Sequence, residues 1–145
     1  MIARLTTALR SGLIALAFVA AIHAPARAQE QTCPLPGQKT MLVAQMFFGQ
    51  SIKNRGPVSP RAWAAFLRDA VTPRFPGGFT VYDAYGQWQD TDSHRIARER
   101  TKVLVIATGD SAIARRQMEE LSSLYRTRFS QQSVGLITSL ACAEF

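Results

Sequence analysis

An α+β fold of four strands and two helices is what the sequence predicts, and three observations carry it. Short apolar runs rich in strand formers recur near residues 40–48, 79–83, 103–107 and 133–140. Two other stretches have the period of an amphipathic helix: after Ser59 apolar residues recur at i, i+3, i+4 and i+7, and after Ser111 at i, i+4, i+7 and i+11. Proline, glycine, aspartate and serine separate the runs. The 145 residues, 47% hydrophobic and 19% charged, make one domain and exclude low-complexity disorder, collagen and a multi-span membrane protein.

Residues 29–39 contain Pro34, Pro36 and Gly37 and read as an irregular lead-in to a single domain over 40–145. From Thr40 to Phe48 the chain is almost continuously apolar, which predicts a strand buried on both faces. Gln50 to Val58 reads as a polar loop. Ser59 then supplies an N-cap and Pro60 the first helical position, so Trp63, Phe66, Leu67 and Ala70 line one face of a helix that ends near Val71, ahead of Pro73. The tight segment 72–78 leads into a second strand from Phe79, with Gly86 expected to bulge it before Trp88. Asp90 to Ser93 turns the chain into a third strand, Ile96 to Ala107, completing a long hairpin. Gly109-Asp110-Ser111 opens a second helix with Ala114, Met118, Leu121 and Tyr125 inward, expected to end near Arg126, and Ser133 to Leu140 makes the last strand. The succession βαββαβ is that of a ferredoxin-like sandwich: a four-stranded antiparallel sheet in the order 4-1-3-2, with both helices on one face.

Residues 1–28 have the parts of a secretory signal: Arg4 and Arg10, an apolar stretch from Ser11 to Ile22, and the small-residue site Ala26-Arg27-Ala28. Cleavage is expected between Ala28 and Gln29, giving a periplasmic or secreted protein with no stable membrane anchor, because His23, Pro25 and Arg27 interrupt the apolar run short of a bilayer's width. Glu30-Gln31-Thr32 ahead of Cys33 argue against lipid attachment there. Cleavage lowers the formal charge from +7 to +4, an ordinary surface excess, and no nucleic-acid partner is expected. Only His94 remains of the histidines, so no metal set and no cofactor is expected. Cys33 and Cys142 stand at opposite ends of the exported chain and are expected to form a disulfide. The strand order agrees, since strand four beside strand one brings its end to the start of strand one.

The segments Trp63-Ala64-Ala65-Phe66, Val71-Thr72-Pro73-Arg74-Phe75-Pro76-Gly77-Gly78-Phe79-Thr80-Val81, Gly86-Gln87-Trp88, Glu99-Arg100-Thr101-Lys102-Val103-Leu104 and Phe129-Ser130-Gln131-Gln132-Ser133-Val134 occur in that order. Together they resemble an uncharacterised family of small exported bacterial proteins built on a domain of unknown function, over about Leu42 to Phe145. The resemblance implies family membership and brings no activity with it. Gly77 stands where family members often carry aspartate, and the lipid-attachment cysteine of some members has no counterpart.

Six side chains are candidates for binding a ligand. Arg74, in a proline-flanked turn, is suited to a carboxylate or phosphate, although such an arginine more often ties its turn to a nearby carbonyl or acid. Trp88 offers a stacking surface or hairpin packing. Alternation along strand three puts Arg98 with Arg100 and Lys102 on one face, and Glu99 on the other with Thr101, Val103 and Val105. A carboxylate among apolar neighbours can act as acid or base, or pair across strands, with Arg74 as one partner. Tyr82 and Asp83 complete the set, and His94 is expected in the solvated hairpin tip. No spacing marks a catalytic residue. The favoured reading is therefore a non-enzymatic envelope protein that binds a small ligand or another protein; the alternative is a small enzyme whose pocket joins Arg74 and Glu99. Strands one and three are apolar on both faces, so the sheet face without helices needs a cover: the hairpin around Trp88, the C-terminal Phe145, or a second copy forming a homodimer.

Overall fold

In the computed structural model, residues 33–52, 55–90 and 93–145 are described; the expected signal peptide, 1–28, and its cleavage site lie outside them. The long strands are β1 (Lys39–Gly49), β4 (Thr80–Gln89), β5 (Ile96–Thr108) and β6 (Gly135–Ala143), and β2 (Ser51–Ile52) pairs with β3 (Gly56–Pro57) in a minimal ribbon. The helices are α1 (Pro60–Phe66), continued by a π-helical turn over Leu67–Val71, and α2 (Ala112–Phe129). The long strands form one antiparallel sheet in the order β4-β5-β1-β6.

Both helices begin as serine caps dictate. Ser59 Oγ accepts from the Ala62 amide at 3.2 Å, and Ser111 Oγ accepts from the Ala114 amide at 3.1 Å. The helices share one side of the sheet, because a single core holds Leu42, Ala44, Met46 and Phe48 of β1, Leu104 and Ile106 of β5, Trp63 and Phe66 of α1, and Met118, Leu121, Tyr125 and Phe129 of α2. Its centre is aromatic: the Phe48 ring lies 4.7 Å from Tyr125, 5.5 Å from Trp63 and 5.7 Å from Phe66, centroid to centroid, the last an edge-on contact. Cys33 and Cys142 form the expected disulfide, with Cα atoms 5.5 Å apart. It ties the lead-in to the end of β6, an edge strand paired only with β1.

Four local expectations are corrected. Gly86 makes no bulge: β4 keeps regular register through it, Tyr85↔Arg100, Gly86↔Glu99, Gln87↔Arg98. A Cβ there would sit 3.1 Å from Thr101 Oγ1, a tight approach that glycine avoids. Helix α2 runs on to Phe129, whose burial one turn after Tyr125 extends the apolar face past three polar residues, and Ser130 ends it in the left-handed region at φ 52°. The last strand starts later and reaches Ala143, because pairing with β1 continues through Thr40↔Cys142 and Lys39↔Ala143. The loop after β1 contains the β2–β3 ribbon, in which Gly56 pairs with Ile52 at φ +95°, a conformation open to glycine.

The face opposite the helices stays uncovered among the described residues. It carries Met41, Val43, Gln45 and Phe47 of β1, Tyr82 and Trp88 of β4, Val103 and Val105 of β5, and Ile137 of β6, in the alternation set by the registers. Phe145 is 97% exposed and Trp88 44% exposed, so neither the C-terminus nor the hairpin folds over this face.

Candidate functional site

A cleft of about 330 Å³ opens at one end of the uncovered face. Glycines make its floor. Gly49 ends β1, Gly86 lies within β4 and Gly135 starts β6, and all three line the cleft. A Cβ on Gly49 would collide with the Glu99 carboxylate, and one on Gly135 would come within 3.3 Å of the Phe47 ring. The depression therefore exists because three strands lack a side chain where the face would otherwise be filled. Phe47, Trp88, Glu99 and Thr101 stand around this floor.

A second hollow of about 260 Å³, bounded by Ser51, Asp90, Gln131 and Gln132, shares Trp88, Glu99 and Ser133 with the first. Glu99 thus stands where the two meet. Its carboxylate is half-buried, its Oε2 accepts the Ser51 amide at 2.9 Å, and it makes no ion pair among the described residues. Glu99 lines both hollows, and its Oε1 accepts no hydrogen bond among the described residues.

The chain that holds Glu99 is itself pinned from the helix side. Tyr125 Oη donates to the Gly49 carbonyl at 2.7 Å, while Gln50 Nε2 donates to Tyr125 Oη and to the Phe48 carbonyl, each at 2.9 Å. The Gln50 amide in turn donates to the Arg100 carbonyl at 2.9 Å. Burial, reinforced by the negative charge of Glu99, holds the Tyr125 phenol well above the ordinary tyrosine range against the opposing hydrogen bond from Gln50, so it remains a donor. At the far end of the second hollow, Gln131 Nε2 donates to the Ser51 carbonyl at 2.7 Å. The segment from Gly49 to Ser51 is in this way fastened to both sheet faces, and a carboxylate on such a support is preorganised for recognition.

The six sequence candidates do not gather in one place. Glu99 and Trp88 share the cleft. Tyr82 lies farther along the same face, its hydroxyl donating to Gln45 Oε1 at 3.5 Å. Asp83 and Arg98 project to the helix side, where Asp83 pairs with Lys102 at 2.6 Å and Arg98 Nε donates to Gln87 Oε1 at 2.8 Å. Arg74 donates to the Ala70 carbonyl at 2.9 Å and pairs with Glu120 at 3.3 Å. A shared Arg74–Glu99 pocket does not form. Arg74 belongs to the turn before β4 and is bound there to Ala70 and Glu120, whereas Glu99 pairs with Gly86, which lies about 20 Å along that strand from its first residue, Thr80. His94 sits in the hairpin turn at φ 54°, its amide donating to the Asp90 carbonyl at 2.9 Å. Sequence reasoning missed Gly49 and Gly135, whose signal is glycine at strand ends flanking an apolar run.

Fold and cleft together define a small α+β protein with a ligand-sized hollow on an uncovered sheet face. The chain belongs to the family described as protein of unknown function (DUF3574), whose model matches residues 43–145. No curated protein matches it. Among solved structures it is similar in fold to a phage SAM lyase in complex with S-methyl-5'-thioadenosine, with TM-score 0.57 and 14% identity over 71% of this chain and 90% of that one. The apo state of a phage SAM lyase matches with TM-score 0.52 and 15% identity, over 79% and 98% of the two chains. Among the described residues no helix is long and apolar enough to cross a membrane.

Proposed function

We propose that this is an exported small-ligand-binding protein whose ligand lies in the Glu99–Trp88 cleft. The observation that carries the reading is the Glu99 carboxylate itself: half-buried, held by a backbone amide, without an ion-pair partner among the described residues, at the junction of two hollows. A half-desolvated carboxylate favours an incoming hydrogen-bond donor, because a donor restores part of the hydration it has lost. The adjacent indole of Trp88 offers a flat apolar surface to a planar ring. A nucleoside has both features, a planar base and donor hydroxyls or amines. The fold similarity to a SAM lyase bound to S-methyl-5'-thioadenosine supports choosing that nucleoside as the probe.

The same proposal takes the fold as a ferredoxin-like sandwich, supported by the strand order and by the two helices sharing one core. It places the protein in the periplasm or outside the cell, supported by the Cys33–Cys142 bond and the signal-like sequence of residues 1–28. A small enzyme with Glu99 as acid or base is the second reading; the fold similarity to a lyase favours it, and Arg74 has no part in it.

Titration of the protein with S-methyl-5'-thioadenosine, followed by calorimetry, tests the main reading. Saturable binding is expected, weakened at least tenfold by Trp88→Ala or Glu99→Gln and unchanged by Arg74→Ala. Absence of binding, or binding indifferent to both cleft substitutions, would overturn it. Slow turnover of the nucleoside that Glu99→Gln abolishes would favour the enzyme.

A further inference from the structure

We propose that a second copy of this chain packs on the uncovered sheet face about a two-fold axis perpendicular to the strands, so that the partner's Lys39 reaches Glu99 and completes the cleft. The proposal rests on the binding-site reading and extends it, since it makes the site a product of two chains: the ammonium and the ligand's donor share the Glu99 carboxylate, whose two oxygens accept several hydrogen bonds. Its first support is the distribution of charge. Alternation from the strand registers puts Lys39 and Glu99 on this face, and among the described residues they are the only charged strand residues there. On the other side of the β4–β5 hairpin, by contrast, stand Asp83, Arg98, Arg100 and Lys102. One side of the same hairpin is dressed for water and the other is not.

The second support is where the two charges lie. Lys39 opens β1, while Glu99 lies beside its far end, with its carboxylate over Gly49. An isologous interface pairs residue i of one copy with j of the other and j with i. An axis crossing β1 at Ala44 sets Lys39 opposite Gly49, Met41 opposite Phe47 and Val43 opposite Gln45. Gly49 has no side chain to obstruct the incoming ammonium, and the Glu99 carboxylate lies directly above it. Both ends of the face then make the same contact, so one geometric operation satisfies both charges and buries the apolar middle.

The footprint is adequate. Four strands spaced at about 4.8 Å and an eleven-residue β1 at about 3.3 Å per residue give a face about 19 Å by more than 30 Å. With side-chain relief and the hairpin overhang counted, that is of the order of the ~800 Å² per partner in a stable interface. Tyr82 at 46% and Ile137 at 56% exposure are the large side chains such packing would cover. The other two covers are already excluded by the exposure of Phe145 and Trp88.

Sedimentation equilibrium of the disulfide-bonded protein at micromolar concentration is the test. The wild type is expected to be a dimer. Lys39→Glu or Glu99→Lys alone should weaken association at least tenfold, and the double substitution should restore it, because the swapped charges again meet across the axis. Val43→Glu, beside the axis, should give a monomer that keeps its circular dichroism spectrum. A monomeric wild type overturns the proposal, as does a dimer indifferent to Val43→Glu. Single charge changes that the double does not repair overturn the two-fold register. Nucleoside binding is read separately by calorimetry, so a monomer that still binds at Trp88 defeats this inference and leaves the binding site standing.

Discussion

Phe48→Ala is expected to lower the unfolding free energy by about 3–5 kcal/mol, the range for removing a fully buried aromatic ring. Phe48 is 0% exposed and touches the rings of Trp63, Phe66 and Tyr125, which belong to α1 and α2. It is therefore the side chain of β1 through which the sheet holds both helices. The hole it would leave is bounded by strands and helices that cannot collapse inward without breaking their own hydrogen bonds, so most of the cavity cost persists. Urea denaturation followed by circular dichroism measures the loss. Phe145→Ala, at a 97% exposed position, is the matched control and should change stability by less than about 0.5 kcal/mol. A Phe48→Ala loss below about 1 kcal/mol would contradict the description of the core.

The second large effect belongs to the disulfide. Cys33 and Cys142 are 109 residues apart in sequence, and closing a loop of that size is worth up to about 4–5 kcal/mol through the entropy of the unfolded chain. The double substitution Cys33→Ser/Cys142→Ser is expected to lower the thermal midpoint by more than 10 °C, at roughly 4–8 °C per kcal/mol for a domain near this size. The loss should also have a place. β6 has no neighbour but β1, and from Gly135 to Leu140 its residues are exposed. Its amides should then exchange with solvent before those of β1 and β5. Uniform loss of protection across the sheet, or an unchanged midpoint, would contradict this.

Much of the fold was legible because burial imposes a period. The i, i+3, i+4, i+7 spacing of Trp63, Phe66, Leu67 and Ala70 corresponds to α1 and the π-helical turn that continues it, and the apolar run at 40–48 to β1. Errors arose where burial did not set the pattern. Arg126, Thr127 and Arg128 are the polar side of the last turn of α2 and hid the return of its apolar face at Phe129. The β2–β3 ribbon has two residues on each side, too few to show alternation.

The site was half legible. Period-two alternation put Glu99 on the apolar face of β5 and away from Arg98, Arg100 and Lys102, which is where it lies. Alternation says nothing about position along a strand relative to a turn elsewhere, so Arg74 was a conceivable partner by sequence and is remote in space. The hollow was hidden for another reason. It is made by side chains that are not there, at Gly49, Gly86 and Gly135, and only registration of three strands brings those absences together.

The most direct test of the proposed ligand cleft is an amide and indole chemical-shift map of the protein during titration with S-methyl-5'-thioadenosine. The largest shifts should fall on the Trp88 indole and on the amides of Gly49, Gly86, Glu99 and Gly135, with the turn at Arg74 unmoved. Shifts centred on Arg74 and Glu120, or no shifts at millimolar nucleoside, would contradict the account.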